Sequence, residues 1–221
     1  MKLRGVLHLP GDKSLSHRSL MFASLAGGIS KISNLGSGKD IESTANCLRQ
    51  LGIDLSINEG VAIIHGGSLK RADNPLNCGN SGTTVRLMMG LLAGQEISAE
   101  FMGDQSLSSR PMARVTEPLT KLGAKFELID GRLPVKLFSS SLCGVQHTLE
   151  VASAQVKSAL ILAALGAKGG SVITDPYKTR DHTENLLHGI GADVSVDGYD
   201  IHVQPLQGSL KSIDWEVPAD P

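Results

Sequence analysis

Three short segments of the chain combine cations, hydroxyls and small residues in an order that suits an anion. They are Asp12-Lys13-Ser14-Leu15-Ser16-His17-Arg18, Asn80-Ser81-Gly82-Thr83-Thr84-Val85-Arg86 and Ala152-Ser153-Ala154-Gln155-Val156-Lys157-Ser158. Each runs into an apolar stretch of helical length, so each reads as the first turn of a helix. The first N–H groups of a helix lack partners within it, and the helix dipole is positive at that end. Lysine, forked arginine and hydroxyls over such a start fit phosphate or carboxylate. Taken singly, each segment is also an ordinary capped helix with a solvated charge. Recurrence favours the anion site. If the three starts converge, Lys13, Ser14, Arg18, Ser81, Gly82, Thr83, Arg86, Ser153, Gln155 and Lys157 face one cleft. Arg110 in Ser109-Arg110-Pro111 and Arg180 in Thr179-Arg180-Asp181-His182-Thr183-Glu184 add cations from later turns.

The elements that must position these residues also recur. Each unit reads as a strand, a polar turn, an apolar helix, a second strand, a second amphipathic helix and a hairpin. In the first unit the opening strand is Val6 to Leu9, and the turn and helix run from Asp12 to Gly27, with a Gly27-Gly28 stop. The second helices end at Leu51-Gly52, Leu122-Gly123 and Ile190-Gly191, where glycine just past the apolar stripe predicts a C-cap. These glycines recur about every 70 residues, the spacing of a repeated supersecondary unit. Hairpin turns fall at Asn58-Glu59-Gly60, Asp130-Gly131 and Asp197-Gly198. Three βαβαββ units imply an α/β fold. Ala159-Leu160-Ile161-Leu162-Ala163-Ala164-Leu165 is apolar on every side, as a buried helix is. That favours three units around a pseudo-threefold axis with buried helices over a solenoid. The repeats span 11–68, 76–139 and 147–205 within a domain covering 11–208. Residues 1–10 read as a strand and hinge shared with a second domain. Residues 209–221, rich in proline, read as a second hinge at which the chain is cut.

Composition narrows the function classes. A formal charge of −1 gives no overall field toward nucleic acid or membrane, and 3% aromatic residues leave little for base stacking. No window reaches the length of a membrane span, and the apolar run after Met1-Lys2-Leu3-Arg4 is too short for a signal peptide. Three dispersed cysteines, Cys47, Cys78 and Cys143, suggest buried free thiols in a cytoplasmic protein. Gly36-Ser37-Gly38-Lys39-Asp40 imitates a phosphate loop but lacks its first glycine and its hydroxyl after lysine. The histidines show no metal-ligand spacing, so neither metal nor cofactor is expected.

The runs Gly11-Asp12-Lys13-Ser14-Leu15-Ser16-His17-Arg18, Gly79-Asn80-Ser81-Gly82-Thr83-Thr84-Val85-Arg86, Ser109-Arg110-Pro111 and Thr179-Arg180-Asp181-His182-Thr183-Glu184 resemble the 5-enolpyruvylshikimate-3-phosphate synthase family. The resemblance covers the whole chain in order. Members are about twice this length, with two three-repeat domains and the active site between them. The resemblance implies transfer of the enolpyruvyl group of phosphoenolpyruvate to the 5-hydroxyl of shikimate-3-phosphate, with loss of phosphate. It is the transferase step of aromatic amino acid biosynthesis that glyphosate inhibits, and Gly82 leaves no steric block to that inhibitor. By the same resemblance, Lys13, Gly82, Arg110 and Gln155 hold phosphoenolpyruvate. Lys13, Ser14, Arg18, Ser153, Ala154, Gln155 and Arg180 hold shikimate-3-phosphate, and Lys13 also serves catalysis. Ala154 stands where many members carry a second serine. Tyr177 matches a stacking tyrosine of some members, while Arg180 matches the other branch and is preferred. The family's acidic general acid and base belong to the second domain, so this chain is expected to be a monomeric, inactive half that works with that domain. A transferase acting on a UDP-amino sugar and a non-catalytic anion-binding module are the alternatives.

Overall fold

The computed structural model describes residues 9–219. The expected strand at Val6 to Leu9 and most of segment 1–10 therefore lie outside the described residues. The first unit comprises α1 (Lys13–Leu25), β1 (Gly28–Ser33), α2 (Lys39–Gln50), β2 (Asp54–Asn58) and β3 (Val61–Gly66). The second comprises β4 (Leu76–Asn77), α3 (Gly82–Gly94), β5 (Ala99–Met102), α4 (Gln105–Ser108), α5 (Ala113–Lys121), β6 (Lys125–Ile129) and β7 (Arg132–Phe138). The third comprises β8 (Gln146–Thr148), α6 (Ala154–Ala164), β9 (Ser171–Thr174), α7 (His182–Gly189), β10 (Val194–Asp197) and β11 (Asp200–Val203), and β12 (Asp214–Glu216) follows it.

Local chemistry accounts for the boundaries. The Asp12, Ser81 and Ser153 side chains accept from the backbone N–H of Leu15, Thr84 and Val156, capping α1, α3 and α6. Gly52, Gly123 and Gly191 follow the second helices with φ of +88°, +106° and +92°. An L side chain is strained there, so the glycine stops are real C-caps. In β7 the burial alternates strictly, with Leu133, Val135 and Leu137 inside.

Three four-stranded sheets share one plan, with orders β4-β5-β7-β6, β8-β9-β11-β10 and β12-β1-β3-β2. In each, the outer pair is parallel and the rest antiparallel. β12 occupies in the first sheet the place that β4 and β8 occupy in theirs. This differs from the reading of 209–221 as a hinge outside the repeats. The exposed edge of β1 needs hydrogen-bond partners, and Asp214–Glu216 supplies them in register with Lys31–Ser33. The helices lie inside. α2 packs on α1 and α3, α5 on α3 and α6, and α7 on α6 and α1, so the ring closes as a pseudo-threefold arrangement does and a solenoid cannot. Every residue from Ala159 to Leu165 is at most 2% exposed, which is what a helix apolar on all sides requires. Each fully buried Leu or Phe contributes about 1.5–3 kcal/mol of transfer free energy. Of the cysteines, Cys47 and Cys78 are buried, whereas Cys143 is exposed, correcting the expectation of three buried thiols; it lies in a connection that touches Lys168 through a single bridge.

Candidate functional site

The N-terminal turns of α1, α3 and α6 converge. Ser14, Arg18, Thr83, Ser153, Ala154 and Gln155 line one cleft of about 430 Å³, which Thr179 and Arg180 complete from the turn before α7 and His182 from its first residue. The N–H groups of Ala154 and Gln155 are among those a helix start leaves without intrahelical partners. Arg18 lies at the floor and is 3% exposed. Its Nε donates to Thr183 Oγ1 at 2.8 Å, Nη1 to the Ser14 carbonyl at 3.0 Å and Nη2 to Ser158 Oγ at 2.7 Å. A guanidinium has five N–H donors, so two remain uncommitted. Burial pushes the Arg18 pKa down to about 10, with Glu184 the strongest opposing influence. Arg18 is therefore a cation at neutral pH.

Gln155 connects this cleft to a second cationic group. Its Oε1 accepts from Arg86 Nη1 at 2.6 Å, and its Nε2 donates to Thr83 Oγ1 at 3.0 Å. Arg86 is 5% exposed, and its Nε and Nη2 are buried with no partner among the described residues. Burial lowers its pKa to about 10, with Arg114 and Arg110 adding repulsion. Arg110 Nη2 donates to Asn80 Oδ1 at 2.5 Å and to Ser106 Oγ at 3.3 Å, while Asn80 donates to Asp104. Gly82 sits between the two guanidinium groups: a Cβ there would lie 2.8 Å from Arg86 Nη1 and 3.3 Å from Arg110 Nη1. Buried donors left unpaired cost free energy unless something accepts from them.

Ser14, Arg18, Ser153, Ala154, Gln155 and Arg180 thus share one cavity wall, and Gly82 and Arg110 adjoin it through Arg86 and Gln155. Lys13 does not line the cavity; it is half exposed and ion-paired with Asp40 at the start of α2. Such a pair is worth at most about 1 kcal/mol, so a competing anion can take the ammonium. Lys157, grouped from sequence with the cleft cations, is instead 2% exposed and held by Glu184 at 2.7 Å and Asp175 at 3.1 Å. Tyr177 is turned away, its hydroxyl donating to the Glu150 carbonyl at 3.0 Å. Gly36 to Lys39 form the uncapped entry to α2.

Sequence reasoning missed Arg114 and the Lys13–Asp40 pair, whose partners come from different elements. It also passed over His182, which lines the cleft with Nδ1 buried and unpartnered. Its place two residues after Arg180 was the available signal. Among the described residues no Asp or Glu lines the cleft. The site gathers donors and cations, a composition that suits polyanions, and among the described residues it offers no carboxylate pair for proton transfer. Among the described residues no cluster suits a metal ion, and no helix is long and apolar enough to cross a membrane.

Buried helices ringed by three like sheets, with a cation-lined cleft where the N-termini of α1, α3 and α6 meet, define an enolpyruvyl transferase-like domain. The family model for EPSP synthase (3-phosphoshikimate 1-carboxyvinyltransferase) matches residues 1–221, and the chain belongs to that family. It is 44% identical over 226 residues to the 3-phosphoshikimate 1-carboxyvinyltransferase of Bacillus pumilus (strain SAFR-032), covering 99% of this chain and 52% of that protein. It is 45% identical over 230 residues to the Persephonella marina enzyme of the same name, covering 100% and 52%. The solved EPSP synthase of Acinetobacter baumannii superposes with a TM-score of 0.93 at 39% identity, over 98% of this chain and 50% of that one. The chain spans about half the length of the relatives it matches.

Proposed function

We propose that this chain is the half of a 3-phosphoshikimate 1-carboxyvinyltransferase that holds its two anionic substrates, and that it acts in the cytoplasm with a second domain. The observation that carries the reading is Arg86, whose buried Nε and Nη2 have no acceptor among the described residues, in a cluster of cations beside Gly82. An anion there would satisfy both donors. Shikimate-3-phosphate fits the cleft of Ser14, Arg18, Ser153, Ala154, Gln155 and Arg180, with the forked arginines on its phosphate. Phosphoenolpyruvate fits against Gly82, Arg110 and Gln155, with Lys13 drawn from Asp40 to the bound anions. In this reading the 5-hydroxyl of shikimate-3-phosphate attacks C2 of phosphoenolpyruvate while the methylene carbon takes a proton. The tetrahedral adduct then expels phosphate and loses that proton's equivalent to restore the enol ether. Fixing two polyanions side by side removes the entropic and electrostatic cost of their encounter. With no carboxylate among the described residues lining the cleft, the chain by itself binds and does not turn over.

Titration calorimetry of the purified 221-residue chain checks this directly. Shikimate-3-phosphate should bind more tightly than inorganic phosphate, and UDP-N-acetylglucosamine should not bind. Equal affinity for phosphate and shikimate-3-phosphate would reduce the site to a general anion module. Enolpyruvyl transfer by the chain with no partner added would overturn the division of labour between domains.

A further inference from the structure

Lys157 and Glu184 form a buried pair that the substrate reading leaves without a task. Both are at most 3% exposed, and Lys157 Nζ lies 2.7 Å from Glu184 Oε1. A buried salt bridge is weak evidence for stability, because desolvation offsets much of the attraction. Its position is more informative. Lys157 and Ser158 are neighbours on α6, and Thr183 and Glu184 are neighbours on α7. The two hydroxyls turn to Arg18, accepting from Nη2 at 2.7 Å and Nε at 2.8 Å. The two charges turn to each other. Arg18 thus receives only neutral acceptors although a buried carboxylate is attached to the next residue, and no carboxylate lies within ion-pair distance of it among the described residues.

The alternative pairing is open to both groups. Glu184 Oε2 is buried with no partner, and Arg18 keeps two uncommitted donors. Arginine and carboxylate favour a forked pair, which is stronger than a lysine contact to one oxygen. Lys157 is in turn anchored from the other side, by Asp175 Oδ2 at 3.1 Å and the Thr179 carbonyl at 3.1 Å. Asp175 stays ionised, since hydrogen bonds from Thr179 and Lys157 outweigh the burial that would raise its pKa.

We propose that Lys157 is a positioning residue that sequesters Glu184, so that Arg18 remains free for the phosphate of an anionic substrate. The inference rests on the reading of the cleft as a phosphorylated-substrate site. It differs from a purely structural role in predicting rescue. Removing the lysine releases Glu184 to fork onto Arg18 and quench the cleft. Removing the carboxylate charge as well restores it, although the lysine is still missing.

The test compares the 221-residue chain with Lys157→Met and with the double variant Lys157→Met/Glu184→Gln, titrating shikimate-3-phosphate by calorimetry. Lys157→Met should weaken binding at least about tenfold, the scale of one charged hydrogen bond, and the double variant should return to within about threefold of the parent. Undiminished binding by Lys157→Met, or a double variant as weak as the single, overturns the proposal. Should Lys157→Met not fold, the double variant decides alone, since it removes one buried charge of each sign: parental affinity supports sequestration, and lost affinity means that Lys157 serves the anion in another way. A crystal structure of ligand-free Lys157→Met supplies a readout independent of substrate, in which Glu184 should lie within ion-pair distance of Arg18. If the parent binds no shikimate-3-phosphate and the carboxylate nevertheless swings to Arg18, the substrate reading fails and the sequestration stands. Glu184 unmoved in that structure sinks the sequestration.

Discussion

At the scale of single residues, the site depends on where each charge finds its partner. His17 shows the consequence most sharply. It is fully buried on α1, with Nδ1 2.7 Å from Thr44 Oγ1, which lies 2.7 Å from Thr84 Oγ1, which donates to Ser81 Oγ at 2.7 Å. This chain of hydroxyls ties α1 and the middle of α2 to the start of α3, while Nε2 has no partner among the described residues. Burial drives the His17 pKa from 6.5 to about 3; Asp40 and Asp12 pull it up, and Lys13 and Arg18 push it down. Between those values the unfolded chain binds a proton that the folded one refuses. Stability from this group is therefore complete above about pH 6.5 and falls by about 1 kcal/mol per pH unit below it. Urea unfolding at about pH 7 and about pH 5 should show the parent losing roughly 2 kcal/mol more than His17→Asn, which keeps a partner for Thr44. The same loss in both proteins would place the acid sensitivity elsewhere. Ser14, Arg18, Ser153 and Gln155 were legible in sequence because a helix start displays its own side chains. The roles of His17 and Lys157 were not, because Thr44, Asp175 and Glu184 reach them from elements that only folding brings near.

At the scale of elements, the three helix starts meet because the helices behind them approach closely. α3 and α6 touch through glycine. A Cβ on Gly94 would lie 2.7 Å from the Leu162 carbonyl oxygen and 3.0 Å from that of Ala163, and Gly90 and Gly166 are opposed to backbone still more tightly. Two effects compete at Gly94. Alanine is the better helix former by about 0.5–1 kcal/mol, whereas forcing a methyl group against a fixed backbone costs about 1–3 kcal/mol. The clash should win, with Gly94→Ala destabilised by about 1–2 kcal/mol. Gly189→Ala is the control, since a Cβ there meets nothing within 4 Å and should leave stability unchanged or slightly raised. Urea midpoints of the two variants decide the matter, and a Gly94→Ala chain as stable as its parent would mean that α3 and α6 can part without cost. The apolar stripe of Ala159 to Leu165 announced a buried helix. It did not announce which helix lies against it, because that contact is read from small residues whose meaning depends on the partner.

At the scale of the whole molecule, the repeat was visible in sequence from turns and glycine stops, but the closure of the first unit was not. Trp215 and its neighbours lack the alternation of an internal strand, and Pro218 suggested a linker. The fold nonetheless uses Asp214–Glu216 as the outer strand of the first sheet. Lys31 N–H donates to the Ile213 carbonyl at 2.8 Å, Val217 N–H to that of Ser33 at 2.9 Å, and Asn34 Nδ2 to that of Val217 at 2.9 Å. Leu210 and Ile213 are 3% and 7% exposed, Val217 is fully buried, and the Asp12 N–H that opens α1 donates to the Pro218 carbonyl at 2.8 Å. The segment therefore closes the sheet and braces the turn that presents Lys13 and Ser14. Residues 209–221 should consequently be required by the first unit more than by the other two. A chain ending at residue 208 should lose at least about 3 kcal/mol, from three buried side chains and an unpaired edge. In amide hydrogen exchange its losses should concentrate at Lys31 and α1, while α6 keeps most of its protection. Binding of shikimate-3-phosphate should weaken in parallel, because Ser14 and Arg18 ride on α1. A shortened chain with an unchanged urea midpoint and Lys31 still protected would return the segment to the role of a linker.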